Sequence, residues 1–217
     1  MQRFGLWVSR LRVLLYDRGM SDVSAFVLAG GRSSRMGTDK AFVEFQGCTL
    51  LNRALDLVTG ITPTVHIVGS RERFGAFGDV VEDEIPDHGP LGGIHAALRA
   101  SPSDRTLILA VDMPFVTAAF LQYLLREDKR SEAAVTVPRA AGNWQPLCAV
   151  YRRAFAIPAE SALRNGHNRI DALFEETTVR IINEEDLGRA GFSADLFRNL
   201  NTREELEAAE LASQLNQ

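Results

Sequence analysis

Residues suited to phosphate chemistry are concentrated in segment 28–40, LAGGRSSRMGTDK. Gly30 and Gly31 allow a backbone conformation in which successive amides face one anion. Three cations follow the glycines: Arg32, Arg35 and Lys40. The segment is neither a Walker A loop nor a GxGxxG fingerprint, and a glycine turn with solvated basic residues is the plainer alternative. Because a predicted strand comes directly before it, we favour a loop that holds a triphosphate.

Asp112 is a carboxylate at the end of an apolar, strand-like run, in LAVDMPF at 109–115. In proteins Mg²⁺ is commonly bound by one or two carboxylates together with substrate phosphate oxygens and water. We therefore predict that Asp112 is a magnesium ligand. The alternative is a residue that caps the following helix or closes a turn.

An acidic segment, 82–87, comes shortly before the glycine-rich segment 89–93, GPLGG. An acidic run alone is typical of a solvated loop. The last two glycines stand at a predicted helix start, where backbone amides are free for a ligand. His88 and His95 have no cysteine or glutamate at metal-ligand spacing, and we expect both on the surface or in loops.

From residue 24 onward, short apolar runs alternate with segments of helical spacing, which predicts an α/β fold with a mostly parallel sheet. The predicted strands are 24–28, 64–68, 79–82, 106–111, 133–138, 147–151 and 179–182. The predicted helices are 50–58, 91–100, 117–125, 155–165, 170–175 and a tail helix from Thr202, which has capping-box spacing to Glu205. Ligands of such sheets bind beyond the carboxyl ends of the strands, where the strand order reverses.

The composition excludes several classes of protein. The 217 residues are 46% hydrophobic with a net charge of −4, which argues against a disordered chain and against nucleic-acid binding by phosphate neutralisation. No apolar run approaches the length of a membrane span, so we expect no membrane contact. Cys48 and Cys148 form no disulfide framework, and we predict a cytoplasmic protein.

The first 20 residues differ from the rest in charge, with four arginines against one aspartate. Arg10 and Arg12 interrupt the apolar part, and no small-residue cleavage site follows, so the segment is not a signal peptide. We predict a loosely ordered basic extension over 1–20, with Met20 as an alternative start of translation, and a single domain over 21–217.

The strand followed by LAGG, Arg35-Met36-Gly37 and Asp39-Lys40 resembles the molybdenum cofactor guanylyltransferases, and the resemblance extends over most of 25–211. It implies a Rossmann-like nucleotidyltransferase fold, with the mostly parallel sheet flanked by helices. It also implies a Mg²⁺-dependent enzyme that transfers GMP from GTP to molybdopterin, releasing pyrophosphate. A molybdenum insertion protein and molybdoenzyme chaperones are the protein partners that it suggests.

The resemblance also implies roles for individual residues. Arg35, Lys40 and Asp112 would be catalytic, and Asp112 would hold the magnesium ion. Nucleotide-binding residues would be Leu28, Ala29, Gly30, Gly31, Lys40, Asp83 and Asp112. The Asn-x-Asn-Thr ending places Asn199 and Asn201 on the acceptor side, which loop 165–169 helps to form. Trp144 either stacks on a pterin or covers the core edge, and Gly69 stands where some members have an asparagine.

Two rival classes remain open on the sequence. A related nucleotidyltransferase would use CTP on molybdopterin, or GTP on another phosphorylated acceptor. The GPLGG segment and the Asn-x-Asn-Thr ending favour the guanylyl branch instead. A nucleotide-binding regulatory module would bind GTP without turnover. Such a module predicts damage to the residues that carry the chemistry, but Arg35, Lys40 and Asp112 are all present, which favours the enzyme.

Overall fold

The computed structural model describes residues 22–30, 39–83, 88–200 and 202–215. The strands are β1 (Val23–Leu28), β2 (Glu44–Phe45), β3 (Cys48–Thr49), β4 (Val65–Val68), β5 (Val80–Val81), β6 (Arg105–Ala110), β7 (Val135–Ala140), β8 (Asn143–Trp144), β9 (Cys148–Arg152) and β10 (Val179–Ile182). The α-helices are α1 (Leu50–Thr59), α2 (Arg71–Phe74), α3 (Gly89–Ala100), α4 (Ala118–Lys129), α5 (Ala156–Arg164), α6 (Glu184–Arg189) and α7 (Arg203–Leu215). Four 3₁₀ helices also occur within these ranges: Lys40–Phe42, Arg153–Phe155, Asp171–Glu175 and Ala194–Phe197.

One large sheet has the strand order β10-β7-β9-β6-β1-β4-β5, with β8 paired to β7. The chain runs from β1 outward to β4 and β5, and then returns to place β6 on the other side of β1. The order therefore reverses between β1 and β6, which lie parallel with Leu28 opposite Ala110. A doubly wound sheet binds its ligand at such a point, beyond the strand ends.

The sheet is parallel except around β9, which pairs antiparallel with both β6 and β7, and at β8, which pairs antiparallel with β7. The predicted α/β fold with a mostly parallel sheet is confirmed. Antiparallel β9 follows from the short connection through β8, because a parallel return would need a crossover of about a dozen residues. The β2–β3 hairpin and the helices α2 and α6 lie where no element was predicted, because each is too short for a periodic pattern.

Helices cover both faces of the sheet. On one face α1 and α4 pack against β1 and β6, and the C-terminal residues Phe197, Leu200 and Ala209 join the same core. On the other face α3, α5 and the 171–175 segment pack against the alternate residues of the strands. This two-sided burial explains why β1 is buried along its whole length.

The prediction that His95 lies on the surface or in a loop is wrong. It belongs to α3 and is 4% exposed, with neither ring nitrogen hydrogen-bonded. The helix packs on the sheet and is also contacted by α5, so the residues from Leu91 to Leu98 are all buried. His88, the N-cap of α3, is half-buried as a loop residue.

A polar cluster joins the end of α4 to the strands beneath it. Thr136 and Arg105 donate to the two carboxylate oxygens of fully buried Asp128, at 3.0 and 2.8 Å. Burial raises the pKa of Asp128, and these two donors oppose that rise. Arg180 of β10 hydrogen-bonds Glu127 at 2.7 Å and holds the pKa of Glu127 below its usual value. The cluster fixes α4, and hence the loop before it, on the sheet.

Within the ranges that the structure describes, no helix has the length and apolar character needed to cross a bilayer.

Candidate active site

Lys40 and Asp112 meet beyond the ends of β1 and β6. The Lys40 ammonium lies 3.2 Å from Asp112 Oδ2, and both side chains are about one-fifth exposed, at 22% and 19%. The two residues are 72 positions apart in sequence. A cation and a carboxylate thus lie together at the point where the strand order reverses.

Backbone hydrogen bonds fix Asp112 relative to the first loop. The Val111 amide donates to the Leu28 carbonyl at 3.1 Å, which continues the β1–β6 ladder by one residue. The next residue, Asp112, leaves the strand in a turn, where its main chain no longer needs a ladder partner. This is why a charged residue can follow five buried positions of β6.

Lys40 opens a short 3₁₀ helix that is capped by the residue before it. The Asp39 carboxylate accepts from the Ala41 amide at 3.1 Å and also forms an ion pair with Arg73. Arg73 in turn lies over the Phe74 ring, with its guanidinium carbon 5.1 Å from the ring centroid. Asp39 therefore holds the backbone of Lys40 from one side, while α2 supports Asp39 from the other.

Gly30 and Gly69, which follow β1 and β4, both have close neighbours in the structure. The Ala29 and Gly30 amides both donate to the Val68 carbonyl, at 3.0 and 3.1 Å, so the Gly30 amide has a protein partner. A Cβ on Gly69 would lie 2.7 Å from a ring carbon of Phe74. The asparagine of some relatives therefore cannot fit at residue 69 unless Phe74 moves.

Asp83 lies directly over the first turn of α3. A Cβ added to Gly92 would lie 2.3 Å from Asp83 Oδ2, so the carboxylate keeps its present position only with a glycine at residue 92. A Cβ on Gly93 would meet the Leu28 and Val68 side chains at 3.4 and 3.5 Å, which is ordinary van der Waals contact. Within the GPLGG segment it is therefore Gly92 that makes room for a predicted nucleotide-binding residue.

The C-terminal segment is tied to the Asp112 loop. The Leu200 amide donates to the Asp112 carbonyl at 3.2 Å, and Phe197 packs edge-on against Phe120 of α4 with ring centroids 5.2 Å apart. Between these anchors, Asn199 Oδ1 is buried without a hydrogen-bond partner. Asn199 therefore carries a buried acceptor one residue from the main-chain bond to Asp112, and a buried acceptor of this kind would be satisfied by a donor group.

Four side chains form a row of aromatic and cationic contacts beside this segment. Arg53 lies over Phe45 at 5.1 Å, Phe45 meets Phe115 edge-on at 5.6 Å, and Arg198 lies over Phe115 at 4.3 Å. Phe45 belongs to the hairpin after Lys40, and Phe115 belongs to the loop of Asp112. The row therefore joins the three chain segments that carry Lys40, Asp112 and Asn199.

A cleft of about 710 Å³ lies between α5 and the 171–175 segment. Loop residues Asn165, His167, Asn168 and Arg169 line it, and His88 Nδ1 lies 2.8 Å from Asn168 Oδ1. The hydrogen bond from Arg169 lowers the pKa of the Asp171 carboxyl on the rim of the cleft. The loop predicted for the acceptor side thus contacts the start of α3.

Trp144 covers the edge of the core. Its ring meets Phe174 edge-on at 5.1 Å, and the Arg139 guanidinium lies over it at 5.3 Å. These contacts favour the interpretation that Trp144 covers the core edge over the interpretation that it stacks on a pterin.

Several predicted site residues lie outside the described residues, namely Gly31, Arg32, Arg35 and Asn201. The basic extension over 1–20 also lies outside them. Their roles stay predictions. Leu28, Ala29, Gly30, Lys40 and Asp112 are described and lie at the β1–β6 switch point, with Asn199 joined to it through Leu200.

The donor set around Asp112 fits a divalent cation that arrives with its phosphates. In the part of the chain that the structure describes, no group of three or more histidine, cysteine, aspartate or glutamate side chains could hold a metal by itself. One partly exposed carboxylate is the protein contribution expected for Mg²⁺ bound mainly by phosphate oxygens and water. The described residues around Asp112 thus offer no metal cage made of protein ligands alone.

Comparisons with known proteins support a nucleotidyltransferase. A family model described as MobA-like NTP transferase domain matches residues 25–186. The molybdenum cofactor guanylyltransferase of Syntrophotalea carbinolica is 33% identical, over 85% of this chain and 89% of that protein. The protein of the same name from Desulfosudis oleivorans is 34% identical, over 89% of this chain and 96% of its own length.

Solved structures show the same similarity. The molybdopterin-guanine dinucleotide biosynthesis protein A of Archaeoglobus fulgidus superposes with a TM-score of 0.78 at 26% identity, over 88% of this chain and 99% of that one. A 4-diphosphocytidyl-2C-methyl-D-erythritol synthase from Anaerococcus prevotii, at a TM-score of 0.65 and 14% identity over 91% of this chain and all of that one, shares the fold alone.

Proposed function

Because this chain belongs to the family of MobA-like NTP transferases that includes the molybdenum cofactor guanylyltransferases, we propose that it transfers GMP from GTP to molybdopterin. Pyrophosphate is released, and the guanine dinucleotide form of the molybdenum cofactor is the product. The observation that carries the proposal is the Lys40–Asp112 pair at the switch point, with the Asn199 segment bonded to the same aspartate.

The proposed reaction needs no nucleophile from the protein. A phosphate oxygen of molybdopterin forms a bond to the α-phosphorus of GTP, and the bond from that phosphorus to the bridging oxygen of the β-phosphate breaks. The leaving pyrophosphate carries away the electron pair. The protein contributes alignment and neutralisation of charge, which are the main sources of catalysis in phosphoryl-transfer enzymes.

Lys40 and Asp112 exchange partners in this proposal. Without a nucleotide they neutralise each other across 3.2 Å. A triphosphate offers the Lys40 ammonium several anionic oxygens, and the Asp112 carboxylate is then released to bind a cation. A magnesium ion held by Asp112 would neutralise charge on the α-phosphate and on the departing pyrophosphate.

Asp83 and the first turn of α3 form the proposed nucleotide side. The carboxylate is placed by the space over Gly92, and the β1 residues Leu28 and Ala29 lie on the same edge of the sheet. Asn199, with its unpartnered buried oxygen, is proposed on the acceptor side. We extend the proposal to a cytoplasmic location and to transfer of the cofactor between a molybdenum insertion protein and molybdoenzyme chaperones.

The experiment that tests the function is a nucleotide panel. GTP, CTP, ATP and UTP are each incubated with molybdopterin and Mg²⁺, and pyrophosphate release and product mass are measured. We expect pyrophosphate and the guanine dinucleotide from GTP, and no product when EDTA replaces Mg²⁺. Preference for CTP would identify the related cytidylyl enzyme instead, and GTP binding without turnover would identify a regulatory module.

A further inference from the structure

Arg198 is an exposed cation whose guanidinium is held by a ring rather than by a carboxylate. Its guanidinium carbon lies 4.3 Å from the centroid of the Phe115 ring. In the ranges that the structure describes, no salt bridge or side-chain hydrogen bond involves Arg198, whereas Arg73, Arg105 and Arg180 all pair with carboxylates. Stacking uses the face of the guanidinium and leaves the N–H groups at its edge for another anion.

The position of Arg198 relative to Asp112 is fixed by its neighbours in sequence. Phe197 is buried against α4, and the Leu200 amide donates to the Asp112 carbonyl. The Phe115 ring beneath the guanidinium is three residues from Asp112 and is itself braced by Phe45. An arginine in this setting is preorganised, so that less side-chain entropy is lost when it binds a ligand.

Lys40 and Arg198 belong to two different chain segments that both contact Asp112. Lys40 contacts the carboxylate, whereas the segment of Arg198 contacts the main chain of the same residue. Two polyanionic reactants must meet at Asp112 in the proposed reaction, and each needs a cation to offset their mutual repulsion. Lys40, which follows the glycine loop, serves the triphosphate. The second reactant is a phosphate monoester, which suits the fork of an arginine.

We infer that Arg198 binds the phosphate of the acceptor substrate and orients it toward the α-phosphorus of the nucleotide. The inference rests on the proposed function and adds a binding residue to it. Phe115 is then a positioning residue, because it acts on the substrate only through Arg198.

The test compares five variants with the wild-type protein, one of them the double variant that combines Arg198→Ala with Phe115→Leu. Arg198→Ala removes the guanidinium, Arg198→Lys keeps the charge without the fork, and Phe115→Leu removes the ring but keeps an apolar side chain. Arg126→Ala is the matched control, since Arg126 is also an exposed arginine but lies near the end of α4, away from the Asp112 loop. For each protein we measure KM for molybdopterin, KM for GTP, kcat, the melting temperature and direct binding of molybdopterin by pterin fluorescence.

We expect Arg198→Ala to raise KM and Kd for molybdopterin by about tenfold or more, as for loss of a charge-assisted hydrogen bond. KM for GTP should change less than twofold, and the melting temperature should match that of Arg126→Ala. Arg198→Lys should recover part of the affinity. Phe115→Leu should weaken acceptor binding only when Arg198 is present, so the double variant should be no worse than Arg198→Ala alone.

Three results would overturn the inference. An equal rise in KM for GTP would assign Arg198 to the nucleotide phosphates. Unchanged affinity for both substrates would leave it a surface residue. A loss in Arg198→Ala that Arg126→Ala reproduces would reflect net charge alone. If the wild-type protein binds molybdopterin, and Arg198→Ala weakens that binding, but no pyrophosphate is released from GTP, the proposed function is contradicted. The inference that Arg198 binds the acceptor phosphate then still stands.

Discussion

Lys40 and Asp112 are the residues on which the proposed chemistry depends most directly. Each was predicted from its own motif, one after the glycine loop and the other at a strand end, and the structure brings them to 3.2 Å. A partly exposed ion pair of this kind contributes at most about 1 kcal/mol to stability. The pair is therefore better explained by a need for both charges beyond the ends of β1 and β6 than by stabilisation of the fold.

Replacing Lys40 by alanine tests its role in nucleotide binding. We expect Kd for GTP to rise and turnover to fall by roughly ten- to a hundredfold, since a charge-assisted contact is typically worth about 1.5–3 kcal/mol. The melting temperature should stay close to that of the wild type. Lys129→Ala, which removes an exposed lysine from the last turn of α4, is the matched control. Wild-type KM and kcat in Lys40→Ala would remove Lys40 from the site.

At the residue scale the sequence predicts identities better than contacts. Lys40 and Asp112 are predicted from local motifs and Asp83 from the family resemblance, but their partners are not predicted. Arg73 supports Asp39 across 34 positions of sequence, and no periodic pattern links the two. His95 was misplaced because its environment depends on how α5 packs on α3, which is a tertiary property.

At the scale of elements, the turn between the acidic segment and α3 shows how a glycine can determine the place of a charge. Gly92→Ala would put a methyl group 2.3 Å from the present position of Asp83 Oδ2 and 3.1 Å from its Cγ. The Asp83 carboxylate would have to move, whereas the helix backbone of α3 can accommodate alanine. If Asp83 binds the nucleotide, the substitution should act on GTP and leave the fold in place.

We expect Gly92→Ala to raise KM for GTP severalfold, and the double variant with Asp83→Ala to be no worse than Asp83→Ala alone. Gly188→Ala is the matched control, because a Cβ at Gly188 of α6 meets nothing within 4 Å. Steady-state kinetics and urea unfolding separate the two effects. Full additivity of the Gly92 and Asp83 substitutions would show that they act independently and would contradict this explanation.

Long elements with clear end signals could be predicted closely. The Thr202 capping box is present, with the Thr202 amide donating to Glu205 Oε2 at 3.1 Å and the Glu205 amide donating to Thr202 Oγ1 at 3.2 Å. The bounds of α1 differ from the prediction by one residue, at its end. The β2–β3 hairpin could not be predicted, since two-residue strands have no period. Its Phe45 nevertheless braces the Phe115 ring that contacts Arg198.

At the scale of the whole molecule, the site depends on a single sheet whose order reverses next to β1. The ladder of β1 begins at Val23, and Asp22 pairs with Arg105 at 3.3 Å. The family model begins at residue 25. We therefore predict that the sheet and its site form without the basic extension predicted over 1–20.

A chain that begins at Met20 should accordingly keep the yield, melting temperature and kcat/KM of the full chain within about twofold. A matched chain that begins at Ala25 is the control, since it loses the first strand residues and the Asp22–Arg105 pair and should unfold at a lower temperature. Loss of activity in the longer of the two would show that residues 1–19 contribute to the domain.

The topology as a whole was predictable only in part. Alternating strands and helices predict the parallel sheet, but the antiparallel direction of β9 depends on a connection between β7 and β9 too short for a crossover. That strand lies between β6 and β7 in the sheet. The loop's contact with His88 at the start of α3 could not be read from either segment alone.

The measurement that tests the central claim most directly is turnover of Asp112→Asn. The amide keeps the size of the side chain but removes the charge proposed to hold Mg²⁺, so we predict that pyrophosphate release from GTP and molybdopterin falls about a hundredfold or more, equivalent to about 3 kcal/mol. GTP binding without metal should fall far less, and the melting temperature should match that of Asp56→Asn, an exposed control on α1. Folded Asp112→Asn protein that releases pyrophosphate at the wild-type rate would contradict the account.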